Sequence, residues 1–422
     1  MAFQNPLIRL IRNLKGNQRA GVYTELLLGI PHSIFATFLP LYMSALGITD
    51  SRIAFLTITF TSALEIVWCL FSGAITDKLG RIKTISIFEF VSWCIPCLIW
   101  AISQNYTFFF VAALFSGSME VIHDASYCAL VEDEDTDNLL GVFTLLDIET
   151  LLAGFVVGII GFFVDKFTLV PTMRVVFVVL FAMVLLKVKL YHKMAHESDF
   201  GKRKIIESKD KSILKLTFDG LMNFVKSLSN KQLILYLIFA AVLNSVMHIS
   251  ESFLPLFLSS GYGIDDGYYA KIVLLRSICT FLAFAFIVPY FKTGSLKLPL
   301  TGAIALHIVG IATLLIGSII KINMIFPVII SAVCEGIFVA SLLPIRDVIL
   351  SHTVSPENRA ESTGFLQALV LIINLPLGFA AGSLAKSNRM YVMMMVLALT
   401  VVLLMVAMIL IKVFRERNFN KN

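Results

Sequence analysis

Apolar residues run in long stretches along this chain, separated by short polar clusters. Stretches of spanning length fall at about 20–46, 51–75, 82–102, 106–131, 138–163, 171–190, 231–260, 268–290, 297–319, 323–350, 361–384 and 390–413. Each approaches the ~20 residues that a helix needs to cross the hydrocarbon of a bilayer. No water is present at that depth, so each stretch must satisfy its own backbone N–H and C=O groups, and a helix does this without partners. The tilted strands of a barrel would be about half as long. The pattern predicts an all-α integral membrane protein with twelve transmembrane helices. One long polar interruption, residues 191–230, divides it into an N-terminal six-helix bundle (1–190) and a C-terminal one (231–422). Within that linker Ile213, Leu214, Leu216, Phe218, Leu221, Phe224, Val225 and Leu228 recur at near-helical spacing among Lys and Ser. Residues 210–228 thus predict an amphipathic helix lying on anionic inner-leaflet lipid, while 191–209 reads as a disordered tether.

Composition agrees with lipid burial. Of the 422 residues 58% are hydrophobic and 15% charged, and the mean hydropathy is +0.87. A soluble domain averages about 25% charged. The six Cys all fall inside apolar stretches, with no metal-ligand spacing; Cys94-Ile-Pro-Cys97 has no βαβ context and reads as packing. The first apolar run begins near Ala20, is too long for a leader and lacks a cleavage site, so no signal peptide is expected. The net charge of +6 lies in loops, not on a face, so nucleic acid is not an expected partner.

That loop charge is topological. Arg9, Arg12, Lys15, Arg19, Lys78, Arg81 and Lys83, a basic segment from Lys187 to Lys231, and Arg359, Lys412, Arg415 and Arg417 share one side. By the positive-inside rule both termini and the linker are expected in the cytoplasm of a plasma (inner) membrane, multi-pass protein.

The two halves echo one another. Phe38-Leu39-Pro40-Leu41 in the first span matches Phe253-Leu254-Pro255-Leu256 in the seventh, followed by Gly47-Ile48-Thr49-Asp50 and Gly263-Ile264-Asp265-Asp266. The fifth and eleventh spans pair Gly154/Gly158 with Gly378/Gly382. A repeat of this kind predicts two like bundles related by an axis along the membrane normal. Between the second and third spans stands Gly73-Ala-Ile-Thr-Asp77-Lys78-Leu-Gly80-Arg81-Ile-Lys83. Gly73 allows close helix contact, Gly80 turns the chain, and Asp77 can accept from basic neighbours and a helix N-terminus. This segment resembles the loop signature of the major facilitator superfamily, G-x-x-x-D-[RK]-x-G-R-[RK]-x, at every fixed position. Lys292-Thr-Gly294-Ser-Leu-Lys297 is a degenerate second copy, and Pro356-Glu-Asn-Arg359 is also similar to the family. The resemblance implies a secondary transporter of a small solute by alternating access, monomeric, with lipid around it. It further implies that Gly73, Asp77, Gly80, Arg81 and Lys83 latch the cytoplasmic side in the outward-open state. Two features depart from the family's drug antiporters: the fourth span, Val111 to Gly117, has no Arg, and the fifth keeps its glycines without Pro.

Ionisable groups at membrane depth cost at least about 2.5 kcal/mol on insertion scales and mark function by default. Glu25, Gly29, His32 and Ala36 share one face of the first span; Asn244, His248 and Glu251 share one of the seventh. A carboxylate and an imidazole on one stripe suit a proton relay. Glu120, His123, Asp124 and Tyr127 line one face of the fourth span. Asp147 and Glu149, two positions apart, must face differently, and Asp147 is placed inward. Arg276 and Glu335 are candidates for pairing or for an ionised solute, Asn374 and Gln367 for hydrogen bonding to it. Glu89 is read as an inter-helix acceptor, and Arg346 with Asp347 as a gate pair. Glu132 to Asp135 is an acidic loop. No G-x-S-x-G, HExxH or P-loop is present, so neither an enzyme nor ATP drive is expected, and no cofactor beyond a proton gradient. Three functions stay open: proton-coupled export of amphipathic or drug-like compounds, proton-coupled uptake of a polar nutrient, and a lipid flippase or receptor on the same scaffold.

Overall fold

The computed structural model describes residues 6–49, 52–53, 55–131, 139–264, 266–291, 295–320, 325–355 and 359–419, and these form helices joined by short turns, with no strand among them. The acidic run Glu132–Asp135, the second motif copy at Lys292–Gly294 and Pro356–Asn358 lie outside the described residues. Among the described residues, eleven helices are long and apolar enough to cross a membrane. The remaining span, Thr61–Leu79, carries Glu65, Asp77 and Lys78 and continues a π-helical turn at Phe55–Phe60. The full order of spans is Gly16–Ala45, Thr61–Leu79, Arg81–Ala101, Tyr106–Val131, Leu139–Phe167, Leu169–Met194, Lys231–Tyr262, Asp266–Phe286, Lys297–Ile320, Ile325–Thr353, Arg359–Ser387 and Arg389–Phe419. Pro31, Pro40, Pro255, Pro344 and Pro376 sit inside them. Neighbouring helices and local adjustment make that tolerable in lipid.

Helix pairings repeat with a period of six. The first span packs on the fifth and sixth as the seventh does on the eleventh and twelfth; the second and third pack on the fourth as the eighth and ninth do on the tenth. The two echoing glycines agree in detail, since Gly47 and Gly263 both take positive φ, +79° and +65°. Each lies just past its helix, where the chain turns back and Ile48 N donates to Met43 O at 3.1 Å and Ile264 N to Leu258 O at 3.3 Å. Glycine suits such a left-handed C-terminal cap.

Contacts between halves pair the second span with the eleventh, the fifth with the eighth and tenth, and the fourth with the eleventh. They concentrate on the side of the termini. There Leu130, Leu139, Leu140 and Phe143 merge into the core of the C-terminal half, and Ile148 and Leu151 pack on Ala283, Phe284 and Val288. Toward the opposite side the central faces of the first and seventh spans leave His32, Ala36, His248 and Glu251 exposed.

The linker is more ordered than a tether. Residues Asp199–Ser208 form a helix, begun by Ser198, whose side chain accepts from Gly201 N at 2.8 Å. This corrects the reading of 191–209, whose polar composition hides a helix held by tertiary contact. The second linker helix, Ile213–Ser227, buries Leu216, Gly220 and Phe224 against the second and eleventh spans and leaves Leu214, Phe218 and Val225 exposed.

Candidate functional site

A cavity of about 530 Å³ lies between the halves, toward the side of the termini. Each wall comes from a polar stripe on an otherwise apolar helix. Glu25 enters from the first span, Glu120 and Asp124 from the fourth, and Asp147 from the fifth. The C-terminal half supplies Asn244, Arg346, Asp347 and Gln367 among apolar neighbours such as Met247 and Leu366. Among the described lining residues carboxylates outnumber cations: Glu25, Glu120, Asp124, Asp147 and Asp347 face Lys187 and Arg346. Lys187 is already paired with Glu89.

Several of these groups are occupied by protein partners. Glu120 Oε1 lies 3.5 Å from His123 Nδ1, and Cys69 Sγ donates to Glu120 Oε2 at 3.7 Å. Arg346 forms two bonds with its chain neighbour Asp347, at 2.8 and 3.2 Å. Tyr127 Oη donates across the halves to the Asp347 carbonyl at 3.1 Å. Asp147 differs, because its Oδ2 is buried and has no hydrogen-bond partner. Glu149, two positions on, lies on the face toward the first span, beside Gly29.

Other expected site residues lie elsewhere. His32 and His248 are exposed beyond the cavity's lining, His32 with its ring 6.0 Å from Trp93. Glu251 is exposed above Glu335, which is buried and binds Arg276 at 3.1 Å, joining the eighth and tenth spans. Asn374 uses both ends of its amide on the seventh span: it donates to Asn244 Oδ1 and accepts from Ser245 Oγ. It braces the C-terminal half.

Below the cavity the signature segment forms a tight seam. Gly73 lies flush against the backbone of Ala360 and Glu361 at the start of the eleventh span. Gly364 faces Ser72 and the Cys69 carbonyl in the same way. Gly80 takes φ +87° between the second and third spans, a conformation open to glycine. Arg81 Nη1 binds Asp77 Oδ1 at 3.0 Å with both side chains buried, and Lys83 is exposed. The linker completes the cluster. Lys204 Nζ lies 3.7 Å from Asp77 Oδ2, Ser208 Oγ donates to the Asp77 carbonyl at 3.0 Å, and Lys78 Nζ donates to the Lys211 carbonyl. Glu197 accepts from Ile82 N at 3.2 Å, an anion at a helix N-terminus.

Glu89 is an inter-helix acceptor as expected, but its partner was misplaced. Lys187 is not at the start of a cytoplasmic basic segment. It is 3% exposed inside the sixth span, ion-paired with Glu89 and with its ammonium 5.0 Å from the Tyr191 ring centroid. Ser72, Thr363, Lys204 and Glu197 were also missed. Only the first two had a sequence cue, each being next to a seam glycine.

No curated protein sequence matches the chain significantly. Among solved structures it is similar to the transporter FucP in its outward conformation, at TM-score 0.73 and 12% identity, over 93% of this chain and 98% of that one. The proton:xylose symporter XylE, bound to 6-bromo-6-deoxy-D-glucose, is similar at TM-score 0.69 and 12% identity, over 92% and 94%. A bacterial homologue of the iron transporter ferroportin, in its outward-facing state, is similar at 0.69 and 13%, over 94% and 99%. At such identities these likenesses speak for the fold alone. The sequence profile of the Major Facilitator Superfamily matches residues 22–326, and with its fold, its repeat and its glycine seam the chain belongs to that superfamily.

Proposed function

We propose that this secondary transporter exports cationic or amphipathic, drug-like solutes in exchange for protons across the plasma membrane, as a monomer with both termini cytoplasmic. On that orientation the closed side is the cytoplasmic one, and this is the state in which an exporter releases its solute and takes up protons from outside. One observation carries the reading: Asp147 Oδ2 is buried without a hydrogen-bond partner in a cavity where carboxylates exceed cations. A buried acceptor left unpaired costs about 1–3 kcal/mol, more if charged. A proton or a solute ammonium would each remove that cost, and both cannot do so at once. Competition of this kind is the minimum requirement for exchange. The apolar remainder of the wall, Leu28, Phe143 and Met247 among it, suits an amphipathic body.

The second reading, proton-coupled uptake of a polar nutrient, is favoured by the absence of Arg from the fourth span and Pro from the fifth. FucP, a fucose:proton symporter, and XylE, a proton:xylose symporter, share the fold. Purified protein in liposomes with an imposed pH gradient separates the readings. Ethidium movement against its own gradient, dependent on the pH gradient, supports exchange. Accumulation of a neutral sugar with no ethidium movement would replace it with uptake, and no flux of either would remove both.

A further inference from the structure

Asp124 stands apart from the other carboxylates of the cavity, at its floor where the halves meet. It is 6% exposed, on the fourth span. Ser72 Oγ, from the second span, donates to its Oδ2 at 2.9 Å. Thr363 Oγ1, from the eleventh span and 239 residues away, donates to its Oδ1. The first bond is internal to the N-terminal half, and the second crosses to the other half. Both donors adjoin the glycines that bring the spans together, Ser72 beside Gly73 and Thr363 beside Gly364.

We infer that Asp124 is a positioning residue for the gate, the acceptor that ties the halves on the side of the termini, and not a ligand for the solute. Both carboxylate oxygens are engaged by protein hydroxyls while the gate is closed. A solute reaching Asp124 would have to share oxygens that already hold the floor closed beneath it.

The donors also make the tie reversible. Each hydroxyl has a second acceptor on its own helix: the Cys69 carbonyl is 2.9 Å from Ser72 Oγ, and the Arg359 carbonyl 2.9 Å from Thr363 Oγ1. When the halves part, either proton can turn back to its own helix, so neither donor is stranded. Only the carboxylate needs a new partner, and entering water supplies it. A gate must hold without holding permanently, and an acceptor shared between donors with local alternatives meets that need.

The inference rests on the transporter reading but on no particular solute or coupling ion. Its test is a distance measurement on the full chain in lipid. Spin labels at Lys83 and Leu298, exposed positions at the ends of the third and ninth spans on the side of the termini, report the separation of the halves. Thr363→Val keeps the side-chain shape and removes the cross-half donor. It should lower the closed-to-open ratio about tenfold or more, as expected for loss of a hydrogen bond to a charged acceptor. Thr363→Ser should restore it, and Asp124→Asn should shift it in the same direction. Thr363→Val is neutral and isosteric, so it serves even if Asp124→Asn folds poorly. An unchanged distance distribution in Thr363→Val would overturn the inference. So would an Asp124→Asn protein that keeps the wild-type distribution and binds ethidium more weakly. Because distance is the readout, a failed ethidium flux in wild type bears on the proposed function and not on this gate.

Discussion

The seam at Gly73 allows the sharpest quantitative test. A Cβ built there would meet Glu361 N at 2.6 Å and the Ala360 carbonyl carbon at 2.7 Å, both backbone atoms of a helix that cannot rotate away. Gly73→Ala therefore forces the second and eleventh spans apart in the closed state. Overpacking of this kind costs about 1–3 kcal/mol. The gain in helix propensity from Gly to Ala is shared by closed and open states and cancels between them. At about 2 kcal/mol the closed-to-open ratio falls roughly 30-fold. A cysteine replacing Leu366, 3% exposed in the cavity wall, should then react about 30-fold faster with an impermeant maleimide applied on the side of the termini. Gly378→Ala, in the same eleventh span, is the matched control, because a Cβ there has nothing within 4 Å; its labelling should stay at the parent rate. If Gly73→Ala folds normally and Leu366→Cys labels no faster in it, the seam does not hold the gate.

Three further outcomes are expected. Asp77→Asn removes the charge shared by Arg81 and Lys204, and should slow turnover at least tenfold while leaving solute affinity within about twofold, read by flux against equilibrium binding. Lys187→Met strands Glu89 in the bundle core and should cost about 3–5 kcal/mol in unfolding of the solubilised protein; adding Glu89→Gln should recover most of it, and no recovery would mean that the pair's charge is irrelevant to stability. Asp147→Asn should abolish solute movement driven by a pH gradient in liposomes, and unchanged movement would shift the coupling to Glu25 or Glu251.

How far the chain could be read from residues alone varied with the range of the interaction. Span positions and the repeat followed from local patterns: hydropathy has the period of a bilayer, and the backbone at Gly47 and Gly263 is a property of a few residues. The Asp77–Arg81 pair was legible for a similar reason, since the two lie one turn apart. Lys187 was not, because a lysine near the end of an apolar run looks the same whether it faces the cytoplasm or a buried carboxylate such as Glu89, three spans earlier in the chain. The first linker helix, with only Phe200, Ile205 and Ile206 apolar among charged residues, is held by the loop it covers and shows too few apolar positions to mark a face. Most distant of all is Asp124 with Thr363, a pairing between halves that no local period encodes. Asn374 was visible as a polar group in a membrane span, but what it touches depends on how the eleventh span is rotated against the seventh.

The linker carries one more consequence. Because the axis relating two like halves runs along the membrane normal, it exchanges the halves and not the membrane faces, so the closures on the two sides use different contacts. Here Lys204, Ser208 and the second linker helix reinforce only one of them. The linker has no counterpart in the repeat, so it tilts the balance of the cycle. Before any solute binds, the molecule has a preferred resting orientation, and a fraction of each turnover's driving force goes to reversing it. Moving a two-state balance from 1:99 to 99:1 takes about 5.5 kcal/mol of differential binding. A stronger strap would demand tighter solute recognition, and a weaker one would leave the gate leaky, so linker sequence and cavity affinity are bound to vary together.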